Sequence, residues 1–395
     1  MSDAQHGETQ RREAALRAMN VVVVQLRETL IERDAEIALA MLAMVSRQHL
    51  FLLGPPGTAK SYLASQVGMA AGATFFERLL TRFTDPAEVF GPLNVKRFME
   101  ETVWEREVAG YMPTAQVVFL DEAFKASSAI LNSLLTIVNE RKFDNGTGRI
   151  DVPLQTLFGA SNELPQDESL GALYDRFLIR AEVLPVKSPE GQAKLLEPRP
   201  KVTARLKDLR VLQDACATMP LGSGAVTGMI QIRDSLWREG VPIGDRRFQQ
   251  SASLVRGAAV LDSAAVAESK HLWPLQYAFW QTPDQIETVK RIVVQHLVAV
   301  PPVAPTKPLP GNFGGAKPPP PRPPAQPPSG GSFGTFVDIA AHVTRSSSTD
   351  NATNRALHQG IEFLLQSNTV SGREKVQLEQ WKSAIRTTSG GNWLA

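Results

Sequence analysis

Cysteine is almost missing from this chain of 395 residues, where Cys216 stands alone. A single thiol forms no internal disulfide and has no companion for a thiolate metal site, so both kinds of scaffold are excluded. A reducing compartment is expected, with Cys216 as a small buried hydrophobe. Charge of one sign is lacking too: 42 Lys and Arg against 40 Asp and Glu leave a formal net charge of +2. That balance gives no strong field for nucleic acid or an anionic membrane. No basic run or aromatic platform for a single strand is present, so a nucleic-acid partner is not expected. Long apolar runs are also missing, since Ala38 to Val45 is far too short to cross a bilayer. The opening MSDAQHGETQRREAALR carries no signal-peptide core. The expectation is a cytoplasmic protein without membrane insertion.

What remains is ordinary globular material, 43% hydrophobic and 21% charged, enough for two or three domains. Residues 1–15 read as a flexible or solvated helical N-terminus. Over Asp34 to Ser46, Ile37, Met41, Met44 and Val45 recur at helical spacing just ahead of an apolar strand at Leu50–Leu53. Strand and helix signals then alternate to about Pro185, which predicts an α/β domain with a largely parallel sheet over residues 16–185. Residues 186–300 lose the strand runs and predict a smaller all-helical domain. Thirteen of the chain's 28 prolines fall between Pro301 and Pro328, so residues 301–334 read as an extended Pro/Gly-rich linker. In residues 335–395, Leu357, Ile361, Leu364 and Leu365 share one amphipathic face, which predicts a small helical tail that docks on a partner.

The stretch FLLGPPGTAKSYLA, Phe51 to Ala64, runs from strand through a Gly/Pro turn into a helix. Gly54 and Gly57 let the backbone curl with its N–H groups inward, and a helix N-terminus then faces the same anion. Lys60 supplies a point charge for outer phosphates, and the Ser61 hydroxyl a ligand for Mg2+. Ala59 stands where such loops usually carry glycine, but it lies at the helix entry, where a methyl need not point at phosphate. The alternative is an ordinary strand-turn-helix joint.

A phosphate loop hydrolyses nothing by itself. Val117 to Leu120 reads as a buried parallel strand ending in Asp121 and Glu122, at the edge where open α/β sheets bind ligands. Asp121 is suited to holding Mg2+ and Glu122 to activating water, against the plainer reading of two solvated acids. Leu157 to Asn162 reads as a further strand whose terminal amide contacts the lytic water or the γ-phosphate, or simply ends the strand. Arg176 precedes the apolar Phe177–Ile179 and suits a phosphoryl transition state, unless it pairs locally with Asp175. Arg246 and Arg247 open a helix in the second domain, from which one of them reaches the nucleotide or remains solvated.

Together GPPGTAKS, VFLDEAFKASSAILNSLLTIVNERKFDNG, FGASNELP and ALYDRFLIR resemble the MoxR family of AAA+ ATPases, and especially its RavA branch. The resemblance covers roughly Leu26 to Phe248. It implies an AAA+ fold with a helical lid, ATP and Mg2+ as ligands, and a hexameric ring that remodels a client beside a von Willebrand factor A partner. It implies Walker A at Gly54, Pro55, Pro56, Gly57, Thr58, Ala59, Lys60 and Ser61, and Walker B at Asp121 and Glu122. Sensor 1 falls at Asn162, the arginine finger at Arg176, and sensor 2 at Arg246 with Arg247 as the alternative. It also implies an insertion over Arg78 to Pro113, with a hairpin at Thr102–Val108. Asp144-Asn145-Gly146 independently predicts a hairpin turn. The region beyond about residue 300 does not resemble the part by which RavA engages a lysine decarboxylase, so that partner is not carried over.

Overall fold

The computed structural model describes residues 3–298 apart from Thr147 and Arg199. The proline-rich stretch and the tail, with the helical face expected there, lie outside the described residues. The elements begin with α1 (Asp3–Thr29), α2 (Asp34–Ser46), β1 (Leu50–Leu53), α3 (Lys60–Ala70) and β2 (Phe75–Leu79). An excursion carrying α4 (Pro86–Phe90) and α5 (Val95–Glu101) leads to β3 (Val117–Asp121) and α6 (Ser128–Glu140). A hairpin of β4 (Lys142–Asn145) and β5 (Gly148–Asp151) precedes β6 (Thr156–Ser161), α7 (Glu168–Arg176) and β7 (Ile179–Glu182). Beyond β7 come α8 (Pro189–Leu195), α9 (Leu209–Thr218), α10 (Ser223–Arg238), α11 (Asp245–Leu261) and α12 (Ile286–Val298), with no strand among the described residues.

The sheet order is β2-β3-β6-β1-β7, and every pairing in it is parallel. Both faces are covered, which is why β1 and β3 read as continuous apolar runs rather than alternating ones. Alternate side chains nonetheless serve different cores. Leu50, Leu52, Val117, Phe119, Phe158 and Ala160 join the core shared with α1, α2, α3 and the lid. Phe51, Leu53, Val118, Leu120 and Leu157 join the opposite core under α6 and Phe177. Gly159 is required at the centre because a Cβ there would lie 2.4 Å from the Phe177 ring.

The helix expected at Asp34–Ser46 is α2, with Ile37, Met41, Met44 and Val45 buried. Residues 3–15 are the first turns of the 27-residue α1, and Ala15 packs at 1% exposure. The Asp144-Asn145-Gly146 turn forms, with Gly146 at φ 66 between antiparallel strands.

Thr102–Val108 differs from expectation. Asn94 caps α5 by accepting from the Arg97 N–H, and Arg97 pairs with Glu101 and Glu105. The helix ends at Glu101, and Thr102–Val108 does not fold back on itself as a hairpin. What remains is an isolated antiparallel bridge, Leu93↔Arg106, held to the hairpin by Asn145, which exchanges hydrogen bonds with the Arg106 backbone.

The lid helices α9 and α11 pack on α2, on the side of the strands' N-terminal ends: Gln213 donates both to the Met44 carbonyl and to Gln155, just ahead of β6. Gly159→Ala is expected to destabilise the protein by about 1–3 kcal/mol, the usual range for overpacking a tight core. The check is the urea midpoint at unchanged slope, and a wild-type midpoint would contradict the packing described for Phe177.

Candidate functional site

At the C-terminal end of β1 the chain enters Gly54–Ser61. Gly54 cannot carry a side chain, because a Cβ would lie 2.2 Å from the Val183 carbonyl oxygen. Gly57 at φ 79 and Ala59 at φ 66 curl the loop into α3. Ala59 is the residue just ahead of the helix, so the methyl is accommodated by a left-handed turn at some local cost. The Lys60 ammonium donates to the carbonyls of Gly54 at 2.7 Å and Pro55 at 2.8 Å. Burial pulls its pKa below the ordinary lysine value, while nearby Asp121 and Glu122 pull it back up. The phosphate loop and the two carboxylates are therefore neighbours.

Asp121 closes β3, next to β6, whose last residue Ser161 is followed by the exposed Asn162. Glu122 stands at φ 50, a left-handed turn that directs the chain away from the strand. Its Oε2 lies 3.2 Å from Lys125 Nζ but is buried without a hydrogen bond among the described residues. The contact is an ion pair, and no hydrogen bond occupies this oxygen among the described residues. Hydroxyl and carboxylate oxygens, from Ser61 and Asp121, are the hard donors that suit Mg2+. Among the described residues no cluster of three or more His, Cys, Asp or Glu exists to hold a metal unaided. One hydroxyl and one carboxylate leave the remaining positions of such an ion to phosphate and water.

Sequence reasoning missed two parts of this edge. A cavity of about 220 Å³ adjoins Gly57–Ala59, walled by Leu30, Ile31, Pro185, Val186 and Leu195. Arg33, buried between α1 and α2, donates to the Thr58 carbonyl at 3.2 Å and to the Leu184 carbonyl at 2.7 Å. It ties the loop to the chain that leaves β7. No local motif announces either, because the walls come from segments about 150 residues apart.

The arginines lie elsewhere. Arg176 ends α7, just before β7 begins, and Arg246 sits beside it, donating to Asn139 Oδ1 at 2.9 Å. Both line a cavity with His49, the residue immediately before β1. This is the N-terminal edge of the sheet, separated from Gly54 by the length of β1, about 13 Å at the usual rise. The structure brings Lys60, Ser61, Asp121, Glu122 and Asn162 to one edge; Arg176 and Arg246 do not join them within one chain. Arg246, expected to reach the nucleotide, lies away from the phosphate loop of its own chain, because α11 packs on α2 and opens at the far edge.

Arg247 is no substitute. It is 4% exposed and donates to the carbonyls of Ala278, Asp175, Phe177 and Leu178, so its fork is consumed in joining the lid to the segment between α7 and β7. Burial lowers its pKa to about 10, against the pull of Asp175. Arg176 meets Asp175 only at 3.4 Å, and its Nε is buried without a partner among the described residues.

Residues 17–207 match the family model described as the MoxR domain of MoxR–vWA–beta-propeller ternary systems, and residues 225–293 match an AAA lid domain. An uncharacterized protein of Methanocaldococcus jannaschii is 40% identical over 269 residues, 67% of this chain and 72% of that one. The chain belongs to the MoxR family of AAA+ ATPases. The chaperone MoxR1 of Mycobacterium tuberculosis is 22% identical over 214 residues, covering 52% of this MoxR chain and 55% of its own. A crystal structure of a candidate ATPase from Cytophaga hutchinsonii shares the fold at a TM-score of 0.56 and 11% identity, over 75% of this chain and 91% of the other. In this MoxR protein no helix among the described residues is long and apolar enough to cross a membrane.

The two adjacent arginines are expected to separate in a stability test. Arg247→Met leaves buried carbonyls unpaired and should cost about 2–3 kcal/mol, whereas the exposed Arg246→Met should stay within about 0.5 kcal/mol of wild type. Denaturant melts of both variants check this, and equal losses would refute the division of roles.

Proposed function

We propose that this MoxR protein binds and hydrolyses ATP in a ring whose subunits complete one another's sites, and uses the cycle to remodel a partner protein.

 No subunit carries a complete site; each one closes its neighbour's. The observation that carries this reading is the separation of charges by sheet edge: Lys60, Asp121 and Glu122 lie at one edge, Arg176 and Arg246 at the other. A chain that holds the acids and the arginines of one phosphoryl-transfer site at opposite edges completes that site only by head-to-tail assembly, which generates a closed ring when the rotation closes. The hexamer belongs to this proposal.

On this reading the cavity beside Gly57–Ala59 takes the adenine base, since its walls are largely apolar and it adjoins the phosphate loop. The loop N–H groups and Lys60 bind the β- and γ-phosphates. Mg2+, held by Ser61 and Asp121, would neutralise charge on the same oxygens. Glu122, with its open Oε2 acceptor, takes the proton of the attacking water, and Asn162 orients that water. Arg176 and Arg246 of the adjoining subunit stabilise the equatorial oxygens as charge spreads in the transition state.

A partner bearing a von Willebrand factor A domain is supported by the matching family model, which describes MoxR domains of MoxR–vWA systems. That model does not single out the RavA branch, so RavA-like character rests on the sequence motifs alone.

Lys60→Ala is expected to abolish tight ATP binding, whereas Glu122→Gln should bind normally and not turn over. Nucleotide affinity and single-turnover hydrolysis separate the two, and equal losses of affinity would sink the assignment. Arg176→Ala should keep nucleotide affinity and lose roughly 10³-fold in turnover, the scale of an arginine finger. Mixing it with Glu122→Gln should restore activity at interfaces that unite one intact half from each. A mixture that never exceeds the sum of its components would rule out the shared site.

A further inference from the structure

The cavity at the N-terminal edge holds more positive charge than two arginines account for. Arg47 and Arg141 line it beside Arg176 and Arg246, within about 190 Å³. Acidic groups nearby are already committed elsewhere. Asp175 is divided between Arg176 and Arg247 at 3.4 Å each, and Glu140 pairs with Arg149 at 2.9 Å. His49, also in the wall, is fully buried, and burial together with Arg141 pushes its pKa well below the ordinary value, so it adds no charge of either sign at neutral pH.

The four guanidinium groups are not equally occupied. Arg141 donates to the Val138 carbonyl at 2.8 Å and to the Arg47 carbonyl at 3.4 Å and lies 2.9 Å from His49 Nε2, and Arg246 donates to Asn139. Arg176 keeps a buried Nε without a partner among the described residues. Arg47 is exposed, and its side chain donates to nothing among the described residues. Arg47 and Arg141 both stand in the left-handed region, at φ 52 and φ 55, where each ends a helix and turns its side chain out of the helical ladder. Convergence of like charges is unfavourable unless an anion is received. The volume bears on which anion: it lies below the range of about 300–1,000 Å³ in which whole drug-sized ligands are enclosed. Such a cavity takes the charged end of a ligand whose remainder is held elsewhere.

We propose that Arg47 is a further phosphate-contacting residue, which engages the terminal phosphates of the nucleotide bound by the adjoining subunit, and that Arg141 positions it. The inference rests on the shared-site reading above and extends the arginine set that serves it. Planar forks converging from several directions suit the equatorial oxygens of a phosphoryl group better than a single carboxylate does. Arg141 acts through Arg47: in the cavity wall its guanidinium is anchored on the Val138 carbonyl and beside His49 Nε2, and its remaining arm reaches the Arg47 backbone carbonyl at 3.4 Å.

The experiment uses the full chain. Arg47→Asn removes the charge while keeping a residue type that tolerates a left-handed backbone, so the fold is preserved. Turnover should fall roughly 10- to 100-fold, the scale of one hydrogen bond to a charged group, with nucleotide affinity and melting temperature unchanged. Mixing Arg47→Asn with Glu122→Gln should restore activity, since the Glu122→Gln subunit brings an intact Arg47 to the intact carboxylates of its neighbour. Arg47→Lys should recover only part of the loss, because it keeps charge without the fork. Wild-type turnover in Arg47→Asn, or a loss that mixing never restores, overturns the inference. The parallel Arg176→Ala mixture tells the two failures apart. If it recovers activity while Arg47→Asn behaves as wild type, only the role of Arg47 falls; if it too fails to recover, the shared site falls with it.

Discussion

Five strands that all run the same way make two chemically different edges. At the edge where they end, the chain turns into the loop Gly54–Ser61, the acids Asp121 and Glu122, and Asn162. At the edge where they begin lie His49, Gln116 and the approach to β7, with Arg47, Arg141 and Arg176 beside them. The strands separate these sets by 4–6 residues, about 13–20 Å, which no side chain spans. Antiparallel strands would have mixed the two ends at each edge. The parallel pairing instead sorts anion-binding backbone and carboxylates from arginines, and the proposed division of one site between two subunits is a consequence of that sorting.

The position of the lid depends on buried guanidinium groups rather than on apolar contact alone. Arg180, fully buried in β7, donates to the Trp280 carbonyl at 2.5 Å, to Gln281 at 2.7 Å and to the Tyr174 carbonyl at 3.1 Å, with its carbon 3.8 Å from the centre of the Tyr174 ring. Arg247 reaches Phe177 and Leu178, just ahead of the same strand, from α11. Burying charge is costly unless its donors are satisfied; here backbone carbonyls and the Gln281 side chain take most of them, although the Arg180 Nε has no partner among the described residues. Burial lowers the Arg180 pKa to about 9, and both groups stay charged at neutral pH. An apolar interface would tolerate sliding, whereas these forks fix the register of the lid against the segment Tyr174–Leu178, and so fix where Arg176 and Arg246 lie.

Much of this was legible where function and geometry are local. GPPGTAKS needs a strand before it and a helix after it, and Val117–Asp121 needs only its own apolar run to be recognised as a buried strand. The same holds for α2, whose buried positions follow from its period. The helical lid was legible from the loss of strand runs. Arg246 was not, because the edge at which α11 opens depends on which face of α2 the lid covers, a contact between segments some 200 residues apart. Arg33, the cavity beside Ala59 and the role of Arg247 were hidden for the same reason. The expectation at Thr102–Val108 failed differently: residues 105–107 pair with the chain ahead of α5, at 92–94, and with Asn145, so the stretch does not fold back on itself.

The two edges, although far apart, are joined by one short strand. β7 has Arg176 three residues before its start, and its exit is in contact with the phosphate loop. The Val183 carbonyl closes against Gly54, the Val183 N–H donates to the Leu53 carbonyl, and Arg33 holds both Leu184 and Thr58. A strand hydrogen-bonded along its length transmits displacement better than it absorbs it, and buried packing is poor at continuous deformation. Any change in the loop on binding or losing phosphate is therefore felt at the exit of β7, and at its entry by the arginine offered to the adjoining subunit. On the proposed reading this gives sequential communication around a ring without a separate signalling element: the strand that senses a subunit's own nucleotide also carries the group that acts on its neighbour's.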